Sequence, residues 1–160
     1  MAAYGPHFVR AARHCGVGVD LLCTLAALES SPKGNARSLR REPGYVSDEE
    51  TPHKVSPGLM QTLISTARHF RKLAGFSRRE VNREFLFDPA NSIMAGAATL
   101  RGQYDEWQGD PLFASAVYNA GTIKQDRDPG DGDFEMLTYG DGRLDHTVRY
   151  LNDWYAALRA

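Results

Sequence analysis

An acid stands where a helix should be apolar. In the run Val19-Asp20-Leu21-Leu22-Cys23-Thr24-Leu25-Ala26-Ala27-Leu28-Glu29-Ser30, the residues Leu22, Leu25, Ala26 and Glu29 fall at i, i+3, i+4 and i+7, the core face of one helix. A carboxyl there is costly to take out of water, so either a partner compensates its charge or it keeps its proton near neutral pH. A protonated carboxyl held beside a cleft is what proton donation to a leaving oxygen requires. The same position also suits a glutamate at a helix end whose head reaches solvent past the last turn. Ser30 follows at once, and its hydroxyl can serve a ligand or bond back to the helix.

Other polar groups carry less. Asp126, Asp128, Asp131, Asp133 and Glu135 cluster as a calcium loop might be imagined to, but an EF-hand needs Gly at its sixth position and Glu at its twelfth, and the spacing fails both. They read as a solvated loop, and no metal site or cofactor is expected. The five histidines are scattered, and no Ser/His/Asp set is suggested by order or spacing. Cys15 and Cys23 have no zinc-like Cys/His spacing around them and read as small buried hydrophobes. A disulfide between them stays open for a protein that works outside the cytoplasm.

Two further segments follow the Glu29-Ser30 pair in chain order: Ser56-Pro57-Gly58-Leu59-Met60-Gln61 and Val117-Tyr118-Asn119-Ala120-Gly121. This series resembles the lytic transglycosylases of the lysozyme-like superfamily, whose first motif ends in Glu-Ser, whose second reads Gly-Leu-Met-Gln and whose third reads Ala-Tyr-Asn-Ala-Gly. Val117 departs from the usual Ala, and Pro57 stands where a small aliphatic residue is common. Between the first two motifs, Leu39-Arg40-Arg41-Glu42-Pro43-Gly44-Tyr45 is similar to the Arg-Tyr-Glu-Pro segment of phage-like members, with Arg41 in place of Tyr or Phe.

The resemblance implies a peptidoglycan enzyme that cleaves the MurNAc-β-1,4-GlcNAc bond. Most glycosidases use two carboxylates. Lytic transglycosylases use one, because the 6-hydroxyl of the sugar itself attacks and leaves a 1,6-anhydromuramyl end. By resemblance Glu29 is that carboxyl, acid first and then base, and Tyr118 holds a hydroxyl near it. Ser30, Glu42, Met60, Gln61 and Asn119 are the implied substrate-side residues. Read from residue type alone, Met60 equally suits core filling, Tyr118 a packed aromatic, and Asn119 a group fixing backbone at a helix end. The alternatives are a goose-type hydrolytic muramidase, with Glu42, Asp48, Glu49 or Glu50 as base on water, and a wall-binding module without activity.

The elements that must position these residues are almost all helical. The expected fold is mainly α: one lysozyme-like domain over residues 1–160, a long cleft loop in Pro32 to Pro57, and at most a small β-hairpin there. Expected helices run from Phe8 to His14 with an end at Gly16, through Glu29 to before Pro32, from near Gly58 to before Gly75, from the Ser77-Arg78-Arg79-Glu80 capping box to about Phe85, and from Asp88-Pro89 through Trp107. Asp110-Pro111 opens another that ends at Gly121, and Val148, Leu151, Tyr155 and Leu158 mark the last.

At 160 residues and 42% hydrophobic the chain has the length of one domain with a real core. A net charge of −1 and no basic stripe with interleaved aromatics argue against nucleic acid as a partner. No run has the length of a membrane span, and Met1 to Phe8 lacks the basic start and apolar core of a signal peptide. A wall-cutting enzyme must then be delivered by a phage or a secretion machine, or be a domain of a longer exported protein; the expectation is a phage-type monomer acting on the periplasmic or extracellular wall.

Overall fold

Helix α1, Gly5–Cys15, opens with Pro in its first turn and stops at Gly16, whose left-handed backbone (φ 67°) lets its N–H reach Ala12 O. Phe8, Ala11, Ala12 and Cys15 form its buried face. Helix α2, Val19–Ser30, follows after a short turn, with Asp20 in its first turn where the helix dipole favours an anion. Leu22, Leu25 and Ala26 are completely buried. The computed structural model describes residues 2–31 and 33–106, together with Ala114, Ser115, Val117 and Tyr118.

The polar stretch after α2 contains a two-stranded antiparallel sheet: β1, Leu39–Arg41, pairs with β2, Val55–Pro57, in the register Leu39 with Pro57, Arg40 with Ser56 and Arg41 with Val55. The ladder continues at both ends, through Glu42 N–H to Lys54 O (3.0 Å) and Gly58 N–H to Ser38 O (2.8 Å). β1 is exposed and β2 buried. The connection begins with a tight turn, Glu42-Pro43-Gly44-Tyr45, closed by Tyr45 N–H to Glu42 O (3.0 Å) with Gly44 at φ 84°. Pro followed by a positive-φ Gly is the composition of a type II turn.

Four more helices follow: α3, Ile64–His69; α4, Arg71–Ala74; α5, Arg83–Phe87; and α6, Pro89–Glu106. Val55, Ile64, Ala67, Val81, Leu86 and Ala95 make a shared core with Tyr45, Phe76 and Phe85 packed on it. The mainly α architecture with one small hairpin is as expected. Helix starts differ in three places, the first being α1, which begins at Gly5 rather than Phe8. The segment from Gly58 is a turn rather than a helix, because Gly58 (φ 84°) and Gln61 (φ 45°) both hold left-handed backbone, and α3 begins only at Ile64. Glu80 does reach back to Ser77 N–H (2.8 Å), half of a capping box, but residues 78–80 form a turn. The helix is capped instead by Asn82, whose side chain accepts from Phe85 N–H (3.0 Å). Asp88 caps α6 through Asn91 N–H (3.1 Å), as its Asp-Pro start predicts.

By compactness the chain divides into Met1–Gly102 and Gln103–Ala160. In the second unit Ala114, Ser115 and Val117 are buried and Tyr118 is half-buried, all four in helical conformation. Trp107, Asp110-Pro111, Asn119 to Gly121, the acidic cluster from Asp126 to Glu135, His146 and the expected last helix lie outside the described residues.

Candidate active site

Glu29 is the penultimate residue of α2, and its face is set by the apolar residues before it. The side chain is only 5% exposed. Its charge has a partner: Arg40 Nη2, reaching across from β1, lies 3.6 Å from Glu29 Oε2. The structure thus sets a counter-charge beside this carboxyl. Arg40 in turn donates from Nε to Glu42 Oε1 at 2.9 Å, and the Ser56 hydroxyl donates to the same oxygen at 2.6 Å. Arg40 is half-exposed, Glu42 21% exposed on its side chain, and Ser56 buried. A chain of charge and hydrogen bonds therefore runs Ser56, Glu42, Arg40, Glu29, from the hairpin to the helix end.

The hairpin makes this possible. Side chains two apart on a strand share a face, and Arg40 and Glu42 are two apart where β1 runs into the turn. Antiparallel pairing sets Ser56 opposite Arg40. Each contact depends on a register that only the folded hairpin sets.

Directly after β2 comes the tight turn Gly58 to Gln61. A Cβ on Gly58 would lie 2.1 Å from Leu86 O and 2.6 Å from Ser92 Oγ, so only glycine fits. Ser92 Oγ accepts from Met60 N–H at 3.1 Å. The Met60 side chain is fully buried, and a Cβ on Gly96 would come within 2.7 Å of its Cγ and Cε. Gln61 is 6% exposed and donates from Nε2 to Gly58 O at 2.8 Å. Its left-handed backbone costs on the order of 1–2 kcal/mol for a residue with a Cβ. Ser31, just past Glu29-Ser30, is at φ 78°, ψ 156°, a region nearly reserved for glycine. Both strained non-glycine residues of the described chain thus sit in or beside the sequence motifs.

Ser30 is buried, with its hydroxyl donating to Ala26 O at 2.9 Å, the back-bond open to a helix-terminal serine. Glu29, Ser30 and Glu42 are brought to one place with Arg40 and Ser56. Met60 and Gln61 belong to the adjoining turn. Tyr118 lies in the second unit and Asn119 outside the described residues. The motif series assigns Arg40 no role, although it stands inside the Arg-Arg-Glu-Pro segment; the signal that points to it is its i, i+2 relation to Glu42. No group of three or more His, Cys, Asp or Glu that could hold a metal occurs among the described residues.

Two thiols, one in α1 and one in α2, show no sign of activation. Cys15 and Cys23 are free. Burial pushes Cys15 up to about 11, with Arg101 pulling the other way, and burial and then Asp20 raise Cys23. Both favour the unreactive thiol.

One comparison bears on the family of the chain. The family described as Transglycosylase SLT domain matches residues 7–132. This chain belongs to that family. No curated protein matches the chain. The SLT domain is a peptidoglycan-acting, lysozyme-like module, so peptidoglycan is the substrate class and transglycosylase-type cleavage the general activity. Among the described residues no helix is long and apolar enough to cross a membrane.

Proposed function

We propose that this SLT domain is a lytic transglycosylase that cuts the MurNAc-β-1,4-GlcNAc bond and leaves 1,6-anhydromuramyl ends, with Glu29 as its single acid and base. The observation that carries the reading is the Glu29 carboxyl, almost fully buried and facing a guanidinium at 3.6 Å. A carboxyl that gives its proton to the leaving oxygen becomes an anion in a dry place. Arg40 compensates that anion, so Glu29 is equipped for the interval between giving the proton and taking one from the 6-hydroxyl. Electrostatic compensation already in place when charge develops supplies much of the rate enhancement in many enzymes. Ser30 and Gln61 border the sugar, and Met60 acts from beneath by packing under the turn that carries Gln61. Tyr118 offers its hydroxyl to the cleavage site, and Asn119 holds the backbone beside it.

The hydrolytic reading keeps one observation in its favour: Glu42 shares a guanidinium with Glu29, which brings a second carboxylate into the neighbourhood. Against it, Glu42 Oε1 is engaged by Arg40 and Ser56, which ties this carboxylate to the hairpin and leaves only Oε2 to act on water. The match over residues 7–132 crosses the boundary after Gly102, which supports treating the chain as one domain. Monomeric action and phage-type delivery to the wall complete the proposal.

The test is the mass of muropeptides released from purified peptidoglycan. Products one water lighter than hydrolysed ones are expected, and Glu29→Gln is expected to cost about 10² to 10⁴ or more in rate with no loss of folding. Tyr118→Phe in the same assay is expected to lose turnover at unchanged melting temperature. Reducing-end MurNAc as the main product would install the muramidase instead. A Glu29→Gln variant above roughly a tenth of wild-type rate would remove Glu29 from the mechanism.

A further inference from the structure

Glu29 has three side-chain torsions and sits one residue from the end of its helix, followed by the strained Ser31. The helix alone places its Cβ; the direction of the carboxyl is left to contacts. Arg40 makes one such contact, and Arg40 is itself held. Its Nε is 2.9 Å from Glu42 Oε1, that oxygen takes the buried Ser56 hydroxyl at 2.6 Å, and Glu42 is pinned as the first residue of the Pro43-Gly44 turn with its N–H on Lys54 O. A guanidinium is planar and presents its donors as a fixed fork. With Nε committed to Glu42 and Nη2 turned to Glu29, two carboxylates define its plane. The 2.9 Å contact is a charge-assisted hydrogen bond and the 3.6 Å one is an ion pair without it, so Arg40 is anchored on Glu42 and reaches toward Glu29.

We infer that Arg40 is a positioning residue for Glu29: braced by Glu42 and Ser56, it sets the direction of the carboxyl and compensates its charge, and Glu42 acts through Arg40 rather than on the substrate. This rests on the reading of Glu29 as the proton donor. Lysine could supply the charge but not the fork, because one ammonium offers no rigid plane between two acids.

The experiment measures kcat and KM on soluble glycan chains, with melting temperatures, for the full chain and for Arg40→Gln, Arg40→Lys, Glu42→Gln, Arg40→Gln/Glu42→Gln and Glu29→Gln. Misdirecting a catalytic group by about 1 Å can cost on the order of 10²-fold, so Arg40→Gln is expected to lower kcat about tenfold to a hundredfold at nearly constant KM. Arg40→Lys recovers part of that loss. Glu42→Gln loses less than Arg40→Gln, and the double variant is no worse than Arg40→Gln alone, the non-additivity of two groups acting as one. A kcat for Arg40→Gln within about twofold of wild type, well short of that misplacement cost, overturns the inference. So does a loss confined to KM, or losses that multiply in the double variant, which would give Glu42 a task of its own. If Arg40→Gln fails to fold, Arg40→Lys decides: undiminished kcat overturns the inference and reduced kcat at constant KM supports it. Full activity in Glu29→Gln would defeat the underlying reading of the acid, whereas an inactive Glu29→Gln beside a normal Arg40→Gln defeats this inference alone.

Discussion

Two glycines that share a left-handed backbone separate conformation from space. Gly58 has φ 84° and Gly75 has φ 74°, but a Cβ would strike Leu86 O and Ser92 Oγ at the first and meet nothing within 4 Å at the second. Gly75→Ala should therefore show the torsional cost alone, about 1 to 2 kcal/mol. Gly58→Ala adds a clash with backbone that cannot swing aside, and a total above about 3 kcal/mol is expected, near 10 °C in melting temperature for a chain of this size. The measurement is the urea midpoint of both variants at unchanged slope. Equal losses would mean that the approach to Leu86 and Ser92 is not what makes Gly58 glycine. At this scale the sequence is legible where a local rule decides: Glu29 on its apolar face, Gly16 at a helix end. For Arg40 it offers only the i, i+2 relation to Glu42; the approach of Arg40 to Glu29 and of Ser56 to Glu42 joins residues that only folding brings together.

The loop between β1 and β2 is fastened to α5 by charge. Tyr45 donates its hydroxyl to Asp48 Oδ1 at 2.8 Å, Arg83 pairs with both Asp48 oxygens, and the Arg41 guanidinium stacks 5.0 Å over the Tyr45 ring. The Arg83 hydrogen bonds first, and Tyr45 second, pull Asp48 down to about 2. An unfolded aspartate titrates near about 3.9. A group depressed on folding contributes stability above its unfolded value and loses it as pH falls through the folded one, here from about 4 to about 2. The stability difference between the wild type and Asp48→Asn is thus expected to be constant above about pH 5 and to close between about 4 and 2. Urea midpoints across that range test it, and a difference that widens toward acid would dismiss the clasp. The Asp48 side chain is 48% exposed, so solvent screening keeps the effect small. Elements as a whole are legible when their signals are local, as with Asp88-Pro89 opening α6. Gly58 reads from sequence as a helix start because a Gly-Leu-Met-Gln run fits a helix period, and nothing in the string announces that Gly58 and Gln61 hold left-handed backbone. Ser77 and Glu80 keep their local hydrogen bond yet do not nucleate a helix, since one bond does not offset the cost of fixing a first turn; Asn82 prevails with the packing of Leu86 behind it.

Across the whole chain, length and the family match lead to one expectation and compactness to another. Residues 7–132 match a single family, whereas compactness divides the chain into Met1–Gly102 and Gln103–Ala160. Helix α6 bears on the choice, because Pro89–Glu106 runs through the boundary without interruption. A helix cannot melt on one side of a residue and persist for one turn on the other at no cost, since its hydrogen bonds form and break cooperatively. The motif order adds a functional reason, as Glu29 and Tyr118 are proposed to serve one reaction while belonging to different units. Calorimetry of the full chain is therefore expected to show one transition, its calorimetric and van't Hoff enthalpies equal, at roughly 110 kcal/mol on the usual scale of about 0.7 kcal/mol per residue. A complex with a glycan inhibitor should raise that single transition without splitting it, because a ligand that binds only the native chain stabilises everything unfolding with its site. Two separable transitions, with only one of them moved by the inhibitor, would show that the chain is two domains and that the site is complete within one of them, which would take Tyr118 out of the reaction.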